Sequence, residues 1–362
     1  MSPSQPAQEV IGIEHTVNGV RVALDFEGDI FEMEDQRNWL DASYKTYCRP
    51  LKLPYPYTIP SGSVVRQELH VSVCRAQDDA FSNPVLRTTA GRTAPMPELL
   101  IAAESGWSSH VSHAPEQRLL VRLHALEDSL AMWIRRACAG RDIDVEIVIP
   151  HHVDPQRYLD EIAENLSNLG VNVRHAFALP AAYLRSYQPE GPWPDGLTPE
   201  EAVAAARRAF PMAKIGVGVM TNFAELNRLP VNLSVGDYVT FSTTAIVHAA
   251  DDDSVWETLE SIPYVLDSAT KLAGGRPIRL GLTCIGMRTN PYGDALAEPR
   301  EGTMVPMAEY DPRQGTSFAA DYAKKVIEIA HLAGIEALAI GSLGGPFAPS
   351  AHLWERLGDQ KI

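Results

Sequence analysis

The chain has 362 residues, 45% of them hydrophobic, and a formal net charge of -15. Its length buries a full core and suits one large domain plus a small one. The acidic balance argues against a nucleic-acid partner, which needs clustered Lys and Arg to displace phosphate counterions, and it disfavours anionic membrane surfaces likewise.

The N-terminus, MSPSQPAQEV, has no basic region followed by an apolar run, and no stretch reaches the ~18 apolar residues of a membrane span. The expected address is the cytoplasm. Cys48, Cys74, Cys138 and Cys284 lie far apart with no CxxC spacing, so they read as reduced thiols and indicate neither a zinc site nor a disulfide framework.

In chain order, residues 1–8 are rich in Ser, Pro and Gln and read as disordered. VIGIEHTVNGVRVALDFEGD then alternates apolar and polar residues around a VNG turn, as a hairpin does. VVRQELHVSV, Val64 to Val73, repeats the alternation after PLKLPYPYTIPSG. Residues 9–75 thus form a small β module with one long irregular loop. Residues 76–97 lack periodicity and carry Pro and Gly, which marks a linker.

From residue 98 to 350 the pattern becomes short β-branched apolar runs separated by helical patterns, the signature of parallel strands joined by crossover helices. The runs are LLIAAE at Leu99, LLVRLHA at Leu119, DVEIVIP at Asp144, NVRHAFAL at Asn172, KIGVGVM at Lys214, YVTFSTT at Tyr238, IRLGLTC at Ile278 and ALAIGSL at Ala337. Eight such units predict an α/β fold, a (β/α)8 TIM barrel preceded by the β module, with residues 351–362 as a C-terminal tail. Asp154 with Pro155, Thr198 with Pro199 and Glu201, and Ser254 with Glu257 read as helix starts. There is no GxGxxG after an early strand and no GxxxxGK[ST], so a nucleotide cofactor is not expected.

In a barrel the site lies at the C-terminal ends of the strands, which directs attention to TNFAELNR (Thr221–Arg228), TTAIVHAADDD (Thr243–Asp253) and CIGMRTNPYG (Cys284–Gly293). A further segment, FEMEDQRNWLDASYKTYCRPL (Phe31–Leu51), is denser in acid, base, amide and hydroxyl groups than a fold requires. These loops together with Phe31–Leu51 resemble the D-apionate lactonase family, whose members open the lactone of a branched-chain sugar acid. The resemblance runs from about Val10 to about Pro349. Relative to that family, the chain is expected to start partway into the N-terminal β region and to lack the C-terminal β domain.

Glu225 is the first candidate for a general acid or base, since a buried carboxylate at a strand mouth can have a raised pKa. Its bland alternative is a surface Glu on a short helical turn after Asn222. His248 could shuttle a proton, or it could order its loop by bonding a backbone carbonyl. Glu34 and Asp35 are candidate second carboxylates that point to opposite sides of an extended stretch, so only one is expected to face a given pocket. Candidate substrate-binding residues are Arg37, Asn38, Asp41, Lys45, Glu104, His124, Asn222, Asp251, Arg288, Asn290 and Tyr292. Several have structural readings: Arg37 as an ion-pair partner, Asp251 to Asp253 as helix N-terminal charges, Asn290 as part of a TNPYG turn, and Glu104 and His124 as satisfied polar groups. His110 with His113, and His151 with His152, lack carboxylates at a defined spacing, so they read as loop histidines and no metal is expected.

The resulting expectation is a cofactor-free hydrolase similar to D-apionate lactonase, acting on a small sugar-acid lactone or related cyclic ester through a carboxylate-activated water. Alternatives are a glycoside hydrolase or lyase with paired carboxylates, a non-catalytic carbohydrate-binding barrel and, at low weight, an aldolase using Lys45. An uncovered edge on the β module would suit a homodimer.

Overall fold

The computed structural model describes residues 4–75, 95–107, 116–124, 128–138, 140–187, 191–300, 302–349 and 351–358. Most of the expected linker, and His110 and His113, lie outside the described residues. The chain divides into two compact units, Met1–Gln36 with Ser43–Arg92 and Arg37–Ala42 with Thr93–Ile362.

The first unit holds six strands: β1 (Ala7–Val10), β2 (Gly12–Val17), β3 (Val20–Glu27), β4 (Phe31–Asp35), β5 (Tyr44–Tyr47) and β6 (Glu68–Arg75). They form two antiparallel three-stranded sheets, ordered β1-β4-β5 and β2-β3-β6. The VNG turn joins β2 to β3 with Asn18 and Gly19 both at positive φ (50° and 75°), the backbone that a two-residue hairpin needs to match strand twist. Two expectations are corrected. Residues 4–8 are ordered: β1 begins at Ala7, and Ser4 is buried with its carbonyl accepting the Asp35 N–H at 2.8 Å. The strand expected from Val64 begins only at Glu68, where pairing with Glu27 of β3 starts.

The second unit contains β7 (Glu98–Ala103), β8 (Arg118–Leu123), β9 (Asp142–Ile149), β10 (Asn172–Pro180), β11 (Lys214–Gly218), β12 (Tyr238–Thr240), β13 (Thr243–Thr244), β14 (Arg279–Cys284) and β15 (Ala337–Ser342). All pair in parallel in the order β12-β11-β10-β9-β8-β7-β15-β14-β13. β12 and β13 are two parts of one chain stretch, split only at Phe241 and Ser242. The first part pairs with β11 and the second with β14, while Val239 also bridges to Ile278 and Gly281 donates to the Phe241 carbonyl at 2.8 Å. The two ends of the sheet therefore meet, and the eight apolar runs close into a TIM barrel.

Helices follow the strands: α1 (Asp128–Cys138), α2 (Pro155–Asn168), α3 (Pro199–Ala209), the short α4 (Phe223–Arg228), α5 (Asp252–Ala273), α6 (Ser317–Leu332) and α7 (Ala351–Gly358). The caps at Asp154 and Thr198 form as the sequence predicts. The Ser254–Glu257 start is corrected. Helix α5 begins at Asp252, capped by Asp251, whose carboxylate accepts from the Ser254 N–H (2.9 Å) and hydroxyl (2.7 Å). An ionised Asp caps more strongly than a Ser at the positive end of a helix. No helix among the described residues is long and apolar enough to cross a membrane.

The barrel interior is ionic as well as apolar. At the N-terminal ends of the strands, buried Asp144 accepts from Arg279 at 2.7 Å, lies 3.0 Å from the His175 ring and 3.4 Å from Arg118. Burial alone would raise its pKa, but His175 and the two guanidiniums hold it below the ordinary value. Asp144→Ala would remove the buried carboxylate from Arg279, which keeps only the more exposed Glu336 (2.6 Å) and Glu98 (3.4 Å), and we expect a loss of about 3 kcal/mol, read as a lower urea midpoint.

Candidate active site

Two polar groups occupy the C-terminal half of the barrel. The first is an ionic cluster. Arg288, after β14, donates to Glu104, after β7, at 2.7 and 2.9 Å, and to Glu146 of β9 at 3.2 Å. Arg122 of β8 donates to Glu146 at 2.8 Å and to the Thr289 hydroxyl at 3.1 Å. His124, after β8, lies 3.3 Å from Glu104. Gly281 leaves room for this layer, since a Cβ there would lie 2.5 Å from the Ser242 Oγ and 3.1 Å from Glu146. Arg288 is thus engaged by two carboxylates and lies over the Trp107 ring. Burial would raise the Glu104 pKa, but Arg288, His124 and Arg122 hold it at about 2.

The second group surrounds Glu225. Its bland alternative, a surface residue, is corrected: Glu225 does lie on a short helix after Asn222, but it is only 6% exposed. A phenylalanine at the first helical position and Ala224 pack inward beside it, which carries the helix into the core rather than out to solvent. One carboxylate oxygen, Oε2, accepts the Asn222 N–H at 3.0 Å. The other, Oε1, is buried with no direct hydrogen bond, as are Asn222 Nδ2, Thr221 Oγ1, Ser242 Oγ, Ser186 Oγ and Tyr292 Oη. Burial pushes the Glu225 pKa up, against the pull of the Tyr292 hydroxyl, Arg228, the Asn222 N–H and the Ser186 hydroxyl. Burial and Glu225 together push the Tyr292 phenol well above its ordinary value, so it remains a proton donor.

Part of the Phe31–Leu51 segment belongs to this unit. Trp39 packs with Ala224, Val247 and Met287, with Tyr292 against the same cluster, and Arg228 lies 4.8 Å from its ring. The His248 ring meets Trp39 edge-on at 5.9 Å, and its Nδ1 is paired with the Asp41 carboxylate. His248 is therefore oriented by a carboxylate and not by a backbone carbonyl. Asn38 is buried and accepts from Asn227 at 2.7 Å. Arg37 lies 4.4 Å from the Tyr264 ring of α5.

Glu34, Asp35 and Lys45 belong to the N-terminal unit, where Asp35 is the buried member of the acidic pair and Lys45 is exposed near the Tyr47 ring. Asp251 serves as the α5 cap. Asn290 uses its amide within the turn, donating to the Ala295 carbonyl at 2.6 Å and accepting the Tyr292 N–H at 2.9 Å. Arg122, Glu146, Thr221, Ser186 and Ser242 were not anticipated. Arg122 and Glu146 carry a signal, a charge inside an otherwise apolar run, because only the barrel interior can receive it. Ser186 carries none.

A closed eight-stranded barrel with a buried carboxylate and unpartnered donors at its C-terminal mouth defines a TIM-barrel protein with an enzyme-like site. The chain belongs to the D-apionate lactonase family: residues 102–353 match the TIM barrel domain of D-apionate lactonase and residues 1–76 its N-terminal domain. D-apionate lactonase of Brucella anthropi is 34% identical over 372 residues, a match covering 97% of this chain and 61% of that protein. The chain therefore spans less than two thirds of the length of that relative. Among solved structures, fungal β-1,4-galactanase gives a TM-score of 0.43 at 13% identity, covering 70% of this chain and 95% of that one. Ruminococcus gnavus β-glucuronidase in complex with uronic isofagomine gives 0.41 at 8% identity, covering 96% and 68%.

The depressed Glu104 pKa has a consequence for stability. Ionised Glu104 stabilises the fold above its ordinary pKa of 4.5, and that contribution, on the order of 3 kcal/mol, is lost as pH falls from there towards about 2. Thermal melts of Glu104→Gln should show lower stability at pH 7 and a flatter decline through this window than the parent protein.

Proposed function

We propose that this chain hydrolyses a sugar-acid lactone, with Glu225 as the base that activates water. The observation that carries this reading is the state of the Glu225 carboxylate: one oxygen is fixed by the Asn222 N–H, while the other is buried with no direct partner. Family membership supports the substrate class.

In this mechanism Glu225 Oε1 takes a proton as water attacks the lactone carbonyl carbon. The Asn222 amide, a buried donor with no direct partner, suits the resulting oxyanion, and one such donor contributes about 3 kcal/mol. Collapse of the tetrahedral intermediate breaks the ring C–O bond, and the leaving oxygen receives a proton from His248, which Asp41 orients as a carboxylate orients a catalytic imidazole. The product is the hydroxy acid; Glu225 releases its proton to solvent and His248 takes one up, which returns both groups to their starting state.

Glycoside hydrolysis is the second reading, favoured by one observation. Glu225 and Glu104 have pKa values pushed in opposite directions, as an acid and an ionised partner would. The tight pairing of Glu104 with Arg288 counts against a nucleophilic role.

The test is a panel of aldonolactones followed by pH-stat, with aryl glycosides in parallel. We expect acid release above the spontaneous rate, rising with pH as Glu225 ionises, and a loss of about 10²–10⁴-fold in Glu225→Gln. Because the folded state favours protonated Glu225, its ionisation lowers stability as pH rises from 4.5 towards the raised value. Glu225→Gln should therefore be inactive yet at least as stable at neutral pH. Unchanged turnover in this variant would remove the assignment, and glycoside cleavage without lactone opening would favour the second reading.

A further inference from the structure

The connection from β10 to α3 carries a residue that the proposed chemistry has not used. Ser186 is tied by its N–H to the Pro291 carbonyl at 2.8 Å, which fixes it to the loop that bears Tyr292. Beside it, the Tyr187 hydroxyl donates to the Ala182 carbonyl at 2.9 Å, and the Tyr187 ring lies 5.8 Å from Trp193 and 6.4 Å from Tyr183. These rings and the Arg228 side chain wall a small cavity of about 10 Å³ whose lining includes Ser186 and Glu225. That is room for a single water if it meets two to four polar partners. The lining supplies two: Glu225 Oε1 and the Ser186 hydroxyl, both buried and neither with a close direct hydrogen bond.

We propose that Ser186 is a positioning residue for the reaction, holding the water that Glu225 activates. The proposal rests on the assignment of Glu225 as base. These two groups, Glu225 and Ser186, fix the water's orientation: it donates one proton to Glu225 Oε1 and accepts the Ser186 O–H on one lone pair, which leaves the other lone pair for the attack. Arg185 and Arg228 also line the cavity, and Glu200 and Glu201 act on nearby Tyr183. Of the groups facing Glu225, Tyr292, Arg228, the Asn222 N–H and Ser186 all favour its ionised form. Removing the serine hydroxyl thus has two effects, a misplaced water and a carboxylate that keeps its proton to higher pH.

The test uses the full chain with two readouts. The first is kcat and KM on the lactone that the parent protein opens, across pH. The second is a titration of carbon-13-labelled glutamate carboxyls, with the Glu225 resonance identified by its absence in Glu225→Gln. In Ser186→Ala we expect kcat to fall about ten- to hundredfold with KM within about twofold, and both the rising limb of the pH profile and the Glu225 midpoint to move up by about one pH unit. Ser186→Thr, which keeps the hydroxyl, should recover most of the rate. If Ser186→Ala fails to fold by circular dichroism, Ser186→Cys carries the same two readouts. A parent-like kcat and an unmoved midpoint, beside an inactive Glu225→Gln, would overturn this proposal alone. Turnover in Glu225→Gln, or none in the parent protein, would instead overturn the base assignment and this proposal with it.

Discussion

The barrel is organised around buried charge that must be neutralised internally. Asp144, Glu146 and Glu104 rise through the interior at successive levels, and Arg279, Arg122 and Arg288 answer them one by one. Removing these ions from water costs several kcal/mol each, recovered only when every carboxylate meets a guanidinium in good geometry. This requirement fixes which strand residues face inward. It also explains a glycine at position 281, where any side chain would press on Glu146 and Ser242.

Against that background Glu225 stands out by its environment rather than its burial. Glu104 and Glu146 are held by bonded arginines, whereas the Glu225 carboxylate has one backbone N–H and a set of hydroxyls and amides around it. Glu104, in the first setting, is held at about 2 and so stays ionised. In the second, burial pushes the pKa up and favours the protonated form. The same barrel thus contains a carboxylate whose pKa bonded arginines hold down, Glu104, and one whose pKa burial pushes up, Glu225.

The sequence revealed the architecture better than the site. All eight apolar runs became strands because an all-parallel barrel buries both faces, and such runs are hard to mistake for anything else. The caps at Asp154 and Thr198 were equally legible, since a side chain three residues from an N–H makes a local bond that needs no tertiary context. The start of α5 was misplaced because three consecutive aspartates compete for one capping position, and only backbone geometry chooses among them. The polar mouth was harder to read. Glu225 could be picked by its position after a strand, but the role of Arg288 depends on Glu104 and Glu146, 184 and 142 residues away in sequence. Ser186 gave no signal, because a lone serine in a Pro- and Gly-containing loop looks like any other.

The six residues from Arg37 to Ala42 belong to the barrel unit although they are flanked on both sides by the β unit. Trp39 and Asp41, which pack against and orient His248, come from this insertion. The barrel is consequently discontinuous along the chain. A gene fragment beginning after the β module would encode every strand yet omit the aromatic and the carboxylate at the mouth. Recombination that exchanged the two units as independent cassettes would separate a histidine from its partner, so the β unit and the barrel are expected to be inherited together.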